Sequence, residues 1–88
     1  MKLIIAIIRD TDNEPVSRAL TSANFRVTLI ASTGGFLRRG NSTLLIGLDD
    51  DQVESALSLI RDNCAPATEP NATHATVFVL KVDQYTHL

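Results

Sequence analysis

The chain opens on an unbroken apolar run, Leu3-Ile4-Ile5-Ala6-Ile7-Ile8. A run without alternation predicts a strand covered on both faces. Polar Thr11, Asp12 and Asn13 then offer a helix cap, and Pro15 suits a first helical turn. Val16, Ala19, Leu20 and Ala23 follow at i, i+3, i+4 and i+7, the stripe of an amphipathic helix. Phe25, Val27, Leu29 and Ala31 next alternate with Asn24, Arg26, Thr28 and Ile30, which predicts a second strand of period two. The plan then repeats. Thr43 to Leu48 is an apolar strand, and Asp49–Asp51 with Glu54 offers a capping box. Val53, Ala56, Leu57 and Ile60 form a second helical stripe. A polar, proline-bearing connection from Ala65 to about His74 leads into the strand Thr76–Val82.

The order β-α-β-β-α-β predicts an α+β, ferredoxin-like domain, a four-stranded antiparallel sheet with two helices on one face. Residues 1–88 are expected to form a single domain. A domain of this size buries only about 60–65% of the surface its unfolded chain exposes. The helices leave one sheet face bare, and the first and last strands are apolar on both sides. Soluble monomers rarely expose so large an apolar patch, so a homo-oligomer is expected.

Composition narrows the partners. The chain is 44% hydrophobic and 20% charged, with a net charge of −2, which suits a folded domain and gives no bulk attraction to nucleic acid or anionic membrane. The first apolar run is far too short to span a bilayer, so no membrane insertion and no nucleic-acid polymer are expected. Cys64 is the single cysteine, which excludes an intrachain disulfide and predicts a reducing, cytoplasmic setting.

Between the second and third strands, about Ser32 to Asn41, lies a connection longer than the two to five residues of a plain hairpin. It holds three glycines, Phe36, Arg38 and Arg39. Gly34 and Gly35 permit close backbone approach, the arginines suit phosphate oxygens, and Phe36 offers a stacking face for a base. The commoner role of such a Phe is to anchor the loop, and an arginine pair is often simply solvated. On the preceding strand, Asn24, Arg26 and Thr28 share one face, directed away from the helices. Gly47 interrupts an apolar strand, a mark of close approach by backbone or ligand or of a bulge. The loop is not a Walker A motif: no Gly-Lys-Ser/Thr follows and the next element is a strand. An RNA-recognition motif shares the topology but needs aromatics on its central strands, and Leu3–Ile8 and Thr43–Leu48 have none. His74, His87 and Cys64 are isolated, so neither a catalytic site nor a metal site is expected, and the chain reads as a non-enzyme without a cofactor.

The segments Asn24-Phe25-Arg26-Val27-Thr28, Ala31-Ser32-Thr33-Gly34-Gly35-Phe36-Leu37-Arg38 and Gly40-Asn41-Ser42-Thr43 closely resemble the cyclic di-AMP receptor family, PII-like signalling proteins of bacteria. Met1–Ile7 and Ala75–Leu80 resemble it as well. The resemblance implies a PII-like homotrimer that binds cyclic di-AMP, or a related adenine nucleotide, between subunits and relays it to an unknown downstream protein. It implies pocket roles for Asn24, Arg26, Thr28, Phe36, Leu37, Arg38, Asn41 and Gly47, to which the loop chemistry adds Gly35. The segment before the last strand is shorter than is usual in the family, and Thr73-His74 stands where Gly-Gly is expected. Two alternatives belong to other classes: a trimeric metal- or small-molecule-binding protein of the same fold using Cys64, His74 or His87, and a protein-interaction scaffold.

Overall fold

The computed structural model describes residues 1–32, 40–66, 75–86 and 88. Strand β1 is Lys2–Arg9, helix α1 Asp10–Ser22, β2 Arg26–Ser32, β3 Asn41–Leu48, α2 Val53–Asn63 and β4 Ala75–Lys81. A 3₁₀ turn, Asp50–Gln52, leads into α2. The four strands form one sheet of order β2-β3-β1-β4, antiparallel throughout. This is the expected ferredoxin-like arrangement, with β2 and β4 at the edges.

Period two sorts the strands into two faces. Ile4, Ala6 and Ile8 of β1 and Leu44, Ile46 and Leu48 of β3 are buried, and they meet Val16 and Leu20 of α1 and Ala56 and Ile60 of α2. The two apolar stripes of the helices therefore form the core with the middle strands. Each fully buried aliphatic side chain here contributes about 1.5–3 kcal/mol relative to exposure. Ala23, expected in the α1 stripe, is exposed at the helix C-cap.

The alternate residues face away from the helices and line up in cross-strand rows. Leu80, Leu3, Gly47 and Arg26 form one row, then Phe78, Ile5, Leu45 and Thr28, then Thr76, Ile7, Thr43 and Ala31. This open face is apolar on β4 and β1 and becomes polar on β2. Leu3, Ile5 and Ile7 are half-buried, while Phe78 and Leu80 are exposed in the single chain.

Four expectations are corrected. Helix α1 starts at Asp10 rather than after a Thr11–Asn13 cap, and its N-cap, Arg9, makes no side-chain capping bond. Asp10 and Asp12 are instead turned inward, both buried, where Ser42 donates its hydroxyl to Asp10 and Arg9 Nε donates to Asp12 at 3.0 Å. The earlier start leaves Pro15 inside the helix.

The capping box ahead of α2 pairs Asp49 with Gln52, whose Oε1 accepts the Asp49 N–H at 3.0 Å, rather than involving Glu54. The 3₁₀ turn brings the two together one turn earlier than an α-helical start would.

Asn24 is not on a strand. It has φ 69° and closes α1, its N–H donating to Thr21 O at 3.0 Å and the Phe25 N–H donating to Leu20 O at 3.0 Å. This is a Schellman motif, with Asn in the left-handed position and the buried pair Phe25 and Leu20 as its apolar contact. The second strand thus begins at Arg26.

Finally, the β2–β3 register shifts between Leu29 and Ala31. Ile30 is the additional residue of a β-bulge. Ala31 then pairs with Thr43 and joins the open face, where strict alternation would have kept it with Leu29.

Candidate functional site

Arg26 and Thr28 lie on the open face at the start of β2, and Gly47 and Leu45 stand opposite them on β3. Both polar residues are exposed. They border a cleft of about 640 Å³ whose other walls come from Met1, from Lys2 and Leu3 of the first strand and from Val82 and Tyr85 beyond the last. The Val82 N–H donates to Met1 O at 3.1 Å, which fastens the segment after β4 alongside β1 and carries Tyr85 to the cleft. The site thus has an apolar floor, one cationic side chain on the open face, Arg26, one hydroxyl and one phenol, with Lys2 contributing to the wall. Such a lining suits a flat, partly apolar anion: guanidinium donors pair with phosphate or carboxylate oxygens, and an aromatic edge packs against a ring.

Gly47 has a local steric reason. A Cβ at this position would stand 3.1 Å from Met1 Cε. The absent side chain leaves the floor between Arg26 and Leu3 open to an incoming group.

Asn41 lies elsewhere. It begins β3, opposite Arg9, and is exposed. Gly47 is six residue steps further along β3, about 20 Å at the usual strand rise. Ser32 and Gly40, the described residues that flank the glycine–arginine connection, are at the same end as Asn41. Asn24, in the turn after α1, is near the Arg26 end instead. Arg26, Thr28 and Gly47 are therefore brought together, and Asn41 is held apart from them. Gly35, Phe36, Leu37 and Arg38, with Arg39, His74 and His87, lie outside the described residues, as does most of the shortened connection.

Sequence reasoning missed Lys2, Leu3, Tyr85 and Met1. Lys2 and Met1 precede an apolar run that reads as core, and Tyr85 follows the last strand in a polar tail. The signal available was the strand order, which sets the ends of β1 and β4 beside Gly47.

Near the Asn41 end the chemistry is buried. Arg9 donates to Asp12 and, through its other guanidinium nitrogen, to Ala65 O, while the Ala65 N–H donates to Asp12 Oδ1 at 3.1 Å. Cys64 is enclosed next to them. Burial pushes its thiol up from the ordinary range, Asp12 adds to this and Arg9 opposes it. A neutral thiol is a poor nucleophile and metal ligand. Among the described residues no three His, Cys, Asp or Glu side chains converge as a metal site would need.

A family model for the cyclic-di-AMP receptor matches residues 1–70. The chain belongs to the cyclic-di-AMP receptor family. Membership makes it a PII-like signalling protein and points to binding rather than catalysis. The receptor fold is similar to the crystal structure of a functionally unknown protein from Pediococcus pentosaceus ATCC 25745, at a TM-score of 0.79 and 35% identity over 99% of this chain and 96% of that one. Within the receptor family match fall Arg26, Thr28, Asn41 and Gly47, and no described helix is long and apolar enough to cross a membrane.

Proposed function

We propose that this receptor binds cyclic di-AMP on the open sheet face, in a site completed by a neighbouring copy of the chain in a homotrimer, and relays the bound state to a protein partner. The carrying observation is the meeting of Arg26 and Thr28 with side-chain-free Gly47 at one end of the sheet. There a nucleotide finds a cation, a hydroxyl and an accessible apolar floor.

The separation of the residues supports the interface reading. One protomer supplies Arg26 at one end and the flanks of the glycine–arginine connection about 20 Å away. A ligand that uses both obtains them most directly from two copies packed side by side. The apolar rows of β1 and β4 supply the driving force for that packing, with Phe78 51% and Leu80 46% exposed in the single chain.

Calorimetric titration with cyclic di-AMP and, separately, ATP tests the reading. Saturable binding of cyclic di-AMP at one site per chain, by a species of trimer mass, is the expected result. Binding of neither nucleotide would remove the proposal.

A further inference from the structure

Asp10 and Ser42 form a buried polar pair that the cleft does not use. Ser42 is fully buried and Asp10 is 7% exposed, both beneath the helix layer. Their contacts straddle Asn41. Asp10 accepts the Ser42 hydroxyl through Oδ1, and its own N–H donates to Gly40 O at 3.0 Å. The residue before Asn41 and the residue after it are thus both bound to one side chain and backbone on α1. Arg9, the residue before Asp10, is Asn41's partner across the ladder.

We infer that Asp10 is a positioning residue for ligand binding: through Gly40 and Ser42 it fixes the backbone on both sides of Asn41, so that the exposed Asn41 amide is presented to the ligand at a set place. This rests on the proposed function, taken together with the pocket role that the family resemblance implies for Asn41. The physical basis is the cost of a buried carboxylate. Such a group is held in place by the donors that satisfy it, and those donors become as rigid as the core. Asn41 is the first residue of β3 and begins a strand directly after a long connection, where fraying would be expected. The Asp10 contacts oppose that fraying from the side of the sheet away from the ligand. A hydroxyl and carboxylate pair serves this end better than an apolar pair, because its directionality fixes register as well as depth.

The test separates positioning from plain stability. Affinity for cyclic di-AMP and melting temperature are measured for the wild-type chain, Ser42→Ala, Asp10→Asn, Asn41→Ala and the double variant Ser42→Ala/Asn41→Ala. Ser42→Ala is expected to weaken binding by about five- to thirtyfold. Asp10→Asn, which keeps an oxygen acceptor for Ser42 but loses the charge, should weaken binding, though less than Ser42→Ala does. The deciding comparison is the double variant. In the Asn41→Ala background, adding Ser42→Ala should change affinity by less than about twofold, because the group being positioned is gone.

Hydrogen exchange without ligand gives a second readout. In Ser42→Ala the Asn41 amide should exchange faster while that of Ile46 is little changed. If Ser42→Ala does not fold, Ser42→Cys, close in volume and a weak donor, replaces it. An unchanged affinity in Ser42→Ala with a lowered melting temperature would overturn the inference. So would an equal loss in both backgrounds, or an Asn41 amide that exchanges as in wild type. A wild-type chain that binds no cyclic di-AMP would overturn the proposed function and this inference together, whereas normal wild-type binding with insensitive variants overturns only the inference.

Discussion

Arg26 and Gly47 face each other across the β2–β3 ladder, on the side of the sheet that the helices leave open. A long cation therefore stands beside a position with no side chain, and the next residue of the row is Leu3. The guanidinium can reach over the Gly47 backbone toward the apolar Leu3 of the middle strand β1. Neither residue alone makes a site, since an exposed arginine is ordinary and a strand glycine is often a packing device.

The cation is expected to dominate affinity. Arg26→Ala should weaken cyclic di-AMP binding by about 1.5–3 kcal/mol, as for a lost charge-assisted hydrogen bond, while Arg39→Ala costs less than about 1 kcal/mol. Raising salt should weaken wild-type binding more than the residual binding of Arg26→Ala. Titrations of the three proteins at two ionic strengths check this, and equal losses for the two arginines would refute the strand-face geometry.

Filling position 47 should separate binding from folding. In Gly47→Ala the new methyl meets only the flexible end of Met1, so stability should be unchanged or raised by up to about 1 kcal/mol. Gly47→Val should fill the cleft floor and lower affinity at least tenfold with a melting temperature near wild type. A large fall in stability for Gly47→Ala would show that the glycine serves packing alone.

Asn24 carries two roles that substitution can divide. Its φ of 69° favours Gly or Asn. Asn24→Ala should destabilise the fold by about 1 kcal/mol, whereas Asn24→Gly should be neutral or better. If the amide also touches ligand, both variants lose affinity. Chemical denaturation and calorimetry on the pair give the answer: wild-type affinity in Asn24→Gly would confine the residue to ending α1.

The exposed apolar face should drive assembly. Wild type is expected to sediment at trimer mass at low micromolar concentration, and Phe78→Ser should shift the distribution toward monomer, since the ring is half exposed in the single chain. Sedimentation equilibrium at three concentrations measures it. A wild-type monomer mass across the range would refute the assembly.

Cys64 sets a limit at alkaline pH. Its folded thiol titrates above the ordinary range, chiefly because it is buried. The folded state therefore holds the proton longer than the unfolded chain. Stability from this group is complete below the unfolded thiol pKa, near about 8.5, and declines as pH rises through the higher folded value. Melting temperatures from pH 7 to 10.5 should fall more steeply for wild type than for Cys64→Ala. Parallel curves would remove the thiol from the account.

The fold was legible because its signals are periodic and repeated. The apolar run Leu3–Ile8, the stripes Val16/Leu20 and Ala56/Ile60, and the apolar strand Thr43–Leu48 each persist in the structure and give the element order of the sheet and its two helices. What failed was local. The bulge at Ile30 leaves no mark in hydropathy, because Leu29, Ile30 and Ala31 are all apolar whichever way they face. Asn24 reads as strand by alternation, and only its tolerance of the left-handed region hints at a helix end. The site was legible in half. Arg26, Thr28 and Gly47 share a row system that period two and the topology predict. Tyr85 and Lys2 reach the same cleft through the pairing of β1 with β3 and β4, a relation between distant segments that the pattern of either segment does not contain.

Arg9 ties the β1–α1 junction to Ala65, where the connection to the last strand departs, and that connection rejoins the sheet at Ala75, opposite Ile8. The described ends of both connections, Ser32 and Gly40 on one side and Ala65 and Ala75 on the other, therefore lie at one pole of the chain, and the Arg26–Gly47 cleft occupies the other. Chain length can be trimmed or inserted between Ala65 and Ala75 with the register of Arg26, Thr28 and Gly47 left untouched. On the proposed function, this makes the connection before β4 adjustable by itself: its length can change while Arg26, Thr28 and Gly47, the residues proposed to meet the nucleotide, keep their frame.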